Sequence, residues 1–273
     1  MSRIKLKYLI VFIGIFISRI ADAQNYQWNE KLKINLDSSG IWNVDVLENV
    51  YLTNKELLQK YDSIGVLKFS QSQKSIGRIS SIQPINTMKV IVFSEEQQQF
   101  CILDNTLTQF EPCIDLMDND IGNATSVVVS AQPDKFWVYD QLNSRLHLLS
   151  LGQTNQKQDI ENLKGVLNSA QFSFVTEKNY QLFLVDSTKG VYVLDLYGSL
   201  VDLLDFKGVV SVSADETHLF LFQKTQLIII NKETKALIEI KLPDTEIIDF
   251  KKSGEFFYFR TPNQIKKYTL NFQ

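Results

Sequence analysis

A strand–turn–strand unit recurs along this chain about every 40 residues, and that repeat constrains the fold more than any other feature. The clearest copy is Lys135-Phe136-Trp137-Val138-Tyr139-Asp140, a polar turn, then Arg145 to Ser150. Five more copies align with it. Val50–Asn54 precedes Leu57–Asp62, Val90–Ser94 precedes Phe100–Asp104, and Leu182–Asp186 precedes Val191–Asp195. Leu219–Phe222 then precedes Leu227–Asn231, and Phe256–Phe259 precedes Ile265–Leu270. The central residues Leu52, Val92, Val138, Leu184, Leu221 and Tyr258 lie 40, 46, 46, 37 and 37 positions apart, a mean of about 41.

A unit of this size cannot bury its apolar faces alone, but a stack of such units can. A small or β-branched strand comes before the aromatic one, as in Ile79–Ile82, Ser126–Val129 and Val209–Ser213, which suits a crowded inner position. A less hydrophobic strand comes after the pair, as in Gly65–Phe69, Leu200–Phe206 and Ala236–Leu242, which suits a solvated rim. No stretch after Ala23 keeps a helical period over three turns. The pattern therefore predicts an all-β, six-bladed β-propeller with about 41 residues per blade. Strands a to d of each blade run from the axis to the rim.

The two ends complement each other. The sixth unit stops after its third strand at Phe272-Gln273, while an unassigned strand, Lys31–Leu36, precedes the first inner strand around Trp42–Val46. An open ring would expose two unpaired strand edges. The expected solution places Lys31–Leu36 as the outer strand of the last blade.

Residues 1–23 read as a cleaved signal peptide: Arg3, Lys5 and Lys7, an apolar run from Tyr8 to Ile17, and Ala21-Asp22-Ala23 before Gln24. The run is too short to span a bilayer, Arg19 interrupts it, and no cysteine follows it to carry a lipid. Residues 24–273 then form one propeller domain exported to the periplasm or the cell surface. Losing four basic residues and one acid takes the formal net charge from −3 to about −6. An acidic domain without basic clusters argues against nucleic acid and anionic membranes.

Only Cys101 and Cys113 are present. Antiparallel counting about a turn near Asp104-Asn105-Thr106 puts Cys101 opposite residue 108 and Cys113 opposite residue 97. They read as two buried small residues, with a disulfide as the alternative. No neighbouring His or base favours a reactive thiol.

In its repeat layout, at Trp137–Leu146 and at Leu57–Gly65, the chain resembles secreted bacterial six-bladed propellers of the NHL/TolB-like type that lack an assigned activity. The resemblance covers the mature chain and implies a binding or scaffolding role. The Trp-Asp and Gly-His marks of WD40 blades are absent.

Chemistry has little support in the sequence. His147 and His218 have no second ligand at metal spacing, and no nucleophile elbow or phosphate loop occurs. Asp118–Asn123 resembles a calcium loop but lacks the later bidentate Glu, so it reads as a solvated inter-blade loop. No cofactor is expected. In a propeller ring the b–c and d–a loops share one face. That face would carry Asn54, Glu95, Glu96, Asp140, Asn143, Asp186 and Lys189, with the Ser70–Arg78, Asp115–Asn123 and Gln153–Asn162 loops. Asp140 and Asp186 are also suited to bonding their own turns.

The resulting expectation is not an enzyme but a binding or scaffold propeller of the cell envelope. It would dock envelope or outer-membrane proteins, as a monomer or as a subunit of a hetero-complex. The alternative is a metal-dependent lactonase or glycan-active hydrolase using the central channel. Such a site needs several converging ligands, and Asp45 is the clearest acid on an inner strand. A carbohydrate-binding module is a third reading; it would need exposed aromatics on the loop face.

Overall fold

The computed structural model describes residues 26–36, 40–54, 57–109, 111–151, 153–169 and 171–272, and of residues 153–157 the backbone only. The expected signal segment lies outside the described residues. Six four-stranded antiparallel sheets form a closed ring. The inner strands are β2 (Trp42–Val44), β6 (Ser81–Pro84), β10 (Ala124–Val129), β14 (Phe174–Lys178), β18 (Val209–Ala214) and β22 (Asp249–Ser253). Each contacts the next, and β22 returns to β2.

From axis to rim the sheets run β2, β3 (Val50–Asn54), β4 (Leu57–Tyr61) and β5 (Leu67–Ser72); β6, β7 (Lys89–Ser94), β8 (Gln99–Asp104) and β9 (Ile114–Asp115); β10, β11 (Lys135–Asp140), β12 (Arg145–Ser150) and β13 (Gln153–Ile160); β14, β15 (Gln181–Asp186), β16 (Gly190–Leu194) and β17 (Leu200–Leu204); β18, β19 (His218–Gln223), β20 (Gln226–Asn231) and β21 (Leu237–Lys241). The sixth is β22, β23 (Phe256–Arg260), β24 (Gln264–Phe272) and β1 (Tyr26–Asn35), which is the expected closure. β1 (Tyr26–Asn35) pairs with β24 (Gln264–Phe272) from Tyr26 opposite Phe272 to Asn35 opposite Gln264. Among the described residues, no helix is long and apolar enough to cross a membrane.

The core is divided among the blade boundaries. One buried cluster joins Trp137, Tyr139 and Leu148 of the third blade to Val175, Leu184 and Tyr192 of the fourth. Others join each remaining pair of neighbours, including Ile34 and Tyr258 of the last blade with Trp42 and Leu52 of the first. Trp137 and Tyr139, two apart on β11 (Lys135–Asp140), thus face the same neighbour, as strand alternation requires.

Carboxylate-led turns hold the rim. Asp62 accepts the amides of Ile64 and Val66, Asp104 those of Thr106 and Thr108, and Asp195 those of Tyr197 and Ser199. In each, the third residue after the Asp has a left-handed backbone: Gly65 (φ 81°), Leu107 (69°) and Gly198 (90°). Gly65 and Gly198 adopt this conformation without Cβ strain; Leu107 bears the cost.

Three expectations need correction. Gln153–Asn162 is not a loop on the ligand face: Gln153–Ile160 is β13, the outer strand of the third blade. Its Gln- and Asn-rich composition suits a solvated rim and imitates a loop. The d–a connection there is residues 161–173, holding a short helix, Leu163–Leu167. Ser70–Ser72 likewise belong to β5 (Leu67–Ser72).

The third concerns the cysteines. Cys101 and Cys113 form a disulfide with Cα atoms 4.3 Å apart. Gln99 pairs with Asp115 and Phe100 with Ile114, which puts Cys113 opposite Cys101. Leu103 instead bridges Gln109. Two residues are therefore absorbed between the turn and β9 (Ile114–Asp115), an irregularity that simple counting could not include.

Candidate functional site

The b–c and d–a loops gather on one face of the ring, as expected from the strand directions. Two basic and two acidic side chains, Arg78, Arg260, Glu95 and Glu96, line a cavity of about 1130 Å³ on one side of the axis. Arg78, Glu95 and Glu96 are exposed. Arg260, the last residue of β23 (Phe256–Arg260), is 7 % exposed and donates to the Gly40 carbonyl.

Next to it, the channel mouth encloses about 470 Å³ and shares Ser80, Glu95 and Arg260 with the first cavity. Its wall is charged where Ser, Ile and Val were expected. The Asp249 carboxylate accepts Trp42 Nε1 at 2.7 Å and the Phe250 amide at 2.7 Å. Lys251 lies 3.7 Å from that carboxylate, with its ammonium 6.0 Å from the Trp42 ring centre and 5.9 Å from Phe174. Both are cation–π distances. The Asp–Lys pair, the two rings and Gln141 make a surface able to bind a ligand carrying both polar and apolar parts.

Beyond the axis a third cavity, about 500 Å³, is lined by Gln171, Asp186, Thr188 and Lys189 and shares Gln141, Phe172 and Ser173 with the channel mouth. The three cavities thus form a band across the face.

The sequence-predicted residues divide accordingly. Glu95 and Glu96, in the turn from β7 (Lys89–Ser94) to β8 (Gln99–Asp104), sit at one end of the band. Asp186 and Lys189, in the turn from β15 (Gln181–Asp186) to β16 (Gly190–Leu194), sit at the other. Asp186 is largely engaged: it accepts Thr188 N (2.9 Å), Thr188 Oγ1 (2.6 Å) and Ser169 Oγ (2.7 Å). Burial raises its pKa, but these hydrogen bonds overcome that and leave it below the ordinary carboxylate value. Lys189 donates to the Asn168 carbonyl.

Asp140 is fully buried and holds Asn143 through its backbone N (3.1 Å) and side-chain amide (2.8 Å), so neither lines a cavity; Gln141 at the same turn does. Asn54 ends β3 (Val50–Asn54) at the equivalent turn of the first blade. Sequence reasoning missed Lys251, Asp249 and Arg260. For Asp249 and Lys251 the signal was available: an inner strand reading Asp-Phe-Lys-Lys-Ser breaks the small, β-branched pattern of its counterparts.

Asp45, the acid singled out on the inner strands, lies after β2 and serves its own turn. It accepts the Leu47 and Asn49 amides, Asn49 Nδ2 and the Tyr51 hydroxyl. Burial first, then the Asp45 charge and hydrogen bond, push the Tyr51 pKa well above the usual phenol range. Among the described residues, no three His, Cys, Asp or Glu side chains cluster to hold a metal. His147 is buried on β12 (Arg145–Ser150) beside Asp159 (2.8 Å), and His218 begins β19 (His218–Gln223) at an a–b turn on the opposite face.

No protein-family model matches the chain, and no curated protein matches its sequence. Its fold is shared with solved structures. Virginiamycin B lyase from Staphylococcus aureus superimposes with a TM-score of 0.63 at 10% identity, covering 90% of this chain and 99% of the lyase. A streptogramin B lyase gives 0.59 at 13% identity over 86% and 80% of the two chains. The Pan2 WD40 domain of Neurospora crassa gives 0.60 at 7% identity over 89% and 95%. These identities show the fold alone. They nevertheless overturn the expectation that the chain is not an enzyme, because the same architecture carries catalysis in the two lyases.

Proposed function

We propose that this chain is a ligand-binding propeller of the bacterial cell envelope that docks a segment of a partner protein across its b–c/d–a face. The observation that carries the reading is the continuous band of three cavities. It runs from Glu95 and Glu96, over the channel mouth at Gln141, to Asp186 and Lys189. Its length and charged ends suit an extended chain better than a compact small molecule, which would fill a single enclosed pocket. Phe174, the partly exposed ring at its centre, provides the apolar contact that concentrates binding energy.

The envelope setting rests on the signal-like residues 1–23 and on the resemblance to secreted NHL/TolB-like propellers. Ligand binding has a precedent on this scaffold only by analogy: a catalytically inactive histidine-to-alanine variant of the S. aureus lyase was solved with quinupristin. Turnover of the bound segment is an outcome of the test rather than a premise.

The test is site-specific photocrosslinking in cells of the source organism. A crosslinking residue replaces Glu96 or Lys189 on the face, or Glu216, exposed in an a–b turn on the opposite side. One shared adduct from positions 96 and 189, absent from 216, is the expected result. Equal labelling from all three positions, or none from the face, would overturn the reading. Following the adduct over time shows whether the partner is cut.

A further inference from the structure

The channel runs deeper than the docking face requires, and its chemistry differs from the acidic balance of the chain. We propose that the axial channel is a binding site for a small, multiply charged oxyanion, a carboxylate or a phosphate. The site shares the channel mouth with the docking band, and the titration below uses the isolated protein, so the two readings fail separately.

Position comes first. The channel mouth, about 470 Å³, and a second cavity of about 270 Å³ opening on the opposite face both include Asn43 and Gln83, so they meet at the waist of the ring. Lys251 projects into the upper part and Lys178, the last residue of β14, into the lower. With Arg260 at the upper mouth, three cations are spaced along the axis. Walls of low dielectric constant concentrate the field of such charges within a cleft.

The acids near them differ in reach. Asp249 pairs with Lys251 at 3.7 Å and also accepts from Trp42 and the Phe250 amide, while Asp45 is engaged by its own turn. Glu177, the neighbour of Lys178, points outward to Trp137 and Ser130. Glu95 lines the mouth together with Arg260 and is exposed there. Lys252, also at the lower opening, is turned toward the Gly254 carbonyl and the Phe257 ring.

Unmet donors point the same way. Among the described residues Arg260 Nε and Ser81 Oγ are buried without a hydrogen-bond partner, and both residues line the channel mouth. A buried guanidinium N–H left unpaired is costly, and a ligand rich in acceptors removes that cost. Lys178 lines the lower cavity and keeps exposed surface there. Burial of its ammonium first, and the Lys251 charge second, lower its pKa. An anion between the two ammonium groups would offset the second effect. Two lysines, a buried arginine and a hydroxyl sharing one channel form a site for oxygen-borne negative charge.

Isothermal titration at low ionic strength tests this with citrate and with inorganic phosphate as probes. Saturable binding at one site is expected. Lys178→Gln and Lys251→Gln should each weaken it by about tenfold, the effect of one charge-assisted hydrogen bond. Lys33→Gln, the same charge change on the exposed rim strand, should leave it unchanged, and Lys178→Arg should retain it. If Lys251→Gln fails to fold for loss of its contacts with Trp42, Lys178→Gln alone decides. No saturable heat with either probe, or equal weakening by Lys33→Gln and Lys178→Gln, would overturn the proposal. The tighter of the two probes identifies whether carboxylate or phosphate is the better fit.

Discussion

Trp137 Nε1 donates to Glu177 Oε2 at 2.7 Å across the boundary between the third and fourth blades. The same carboxylate accepts Ser130 Oγ at 2.7 Å and the Ala131 amide at 2.9 Å, so one acid of the fourth blade fastens both a strand and an a–b turn of the third. The most conspicuous tryptophan of the repeat is therefore a fastening between blades, with its polar edge satisfied and its ring in the apolar cluster.

Glu177→Ala should cost about 3 kcal/mol, because Trp137 and Ser130 keep buried donors with no acceptor and the part-buried Ala131 amide loses its partner. For a domain of this size that lowers Tm by roughly 6–12 °C. Glu177→Gln retains one carbonyl oxygen and should lose about half as much. Thermal unfolding followed by circular dichroism reads both; an unchanged Tm in the alanine variant would mean that the bonds contribute nothing net.

The N-terminal strand should be equally indispensable. Trp28 of β1 lies edge-on to Phe257 (5.2 Å), Phe259 (5.2 Å) and Tyr268 (6.1 Å), and its Nε1 donates to the Lys241 carbonyl at 2.8 Å. The strand thus ties the sixth blade to the fifth as well as completing it. Trp28→Ala should cost about 3 kcal/mol, the lower end for a large aromatic, since the side chain is only half-buried. Deleting residues 24–36 should abolish the single cooperative transition. A deletion variant that melts like the parent would show that the ring closes without β1.

The fold was legible because blade stacking imposes a period on the chain, and a period survives substitution of individual residues. Closure was legible for a similar reason: a missing strand at one end and a surplus strand at the other admit one economical pairing. The site was less so. Glu95 and Lys189 could be placed on the b–c/d–a face from turn positions alone. Lys251 carried a signal in the charged inner strand Asp-Phe-Lys-Lys-Ser, whereas Arg260 and Lys178 did not, because whether a strand residue faces the axis depends on twist and on inter-blade packing. Gln153–Ile160 failed for a third reason: a rim strand gains nothing from being apolar, so its composition carries no strand signal.

Cys101 and Cys113 close a short loop, twelve positions apart, at the outer edge of the second blade. β9 there is only two residues long, so the disulfide does the work that a longer rim strand does elsewhere. By its loop length the crosslink should contribute about 3 kcal/mol. Reduction, or Cys113→Ser, should lower Tm by roughly 6–12 °C on the scale of a domain of this size. Hydrogen exchange should show the loss first in residues 99–115, with the other blades following only at global unfolding. Uniform loss of protection around the ring would instead mean that the second blade is not a separable unit.

Acid should act through the turn carboxylates, and Asp186 gives the sign. Its folded pKa lies below the ordinary value because Thr188 and Ser169 donate to the ionised form, outweighing burial. The unfolded carboxylate titrates near its usual value of about 4. The stabilisation is therefore fully present above that pH and is lost as pH falls through the folded pKa, when the native carboxylate must also take a proton. Asp186→Asn keeps an acceptor for the Thr188 amide but removes the charge. It should melt below the parent at about pH 7, and the difference should narrow as the pH falls toward about 3. Tm measured across that range for both proteins decides the matter. A gap that stays constant with pH would assign the contribution of Asp186 to turn geometry alone and remove charge from the account of how this face is held.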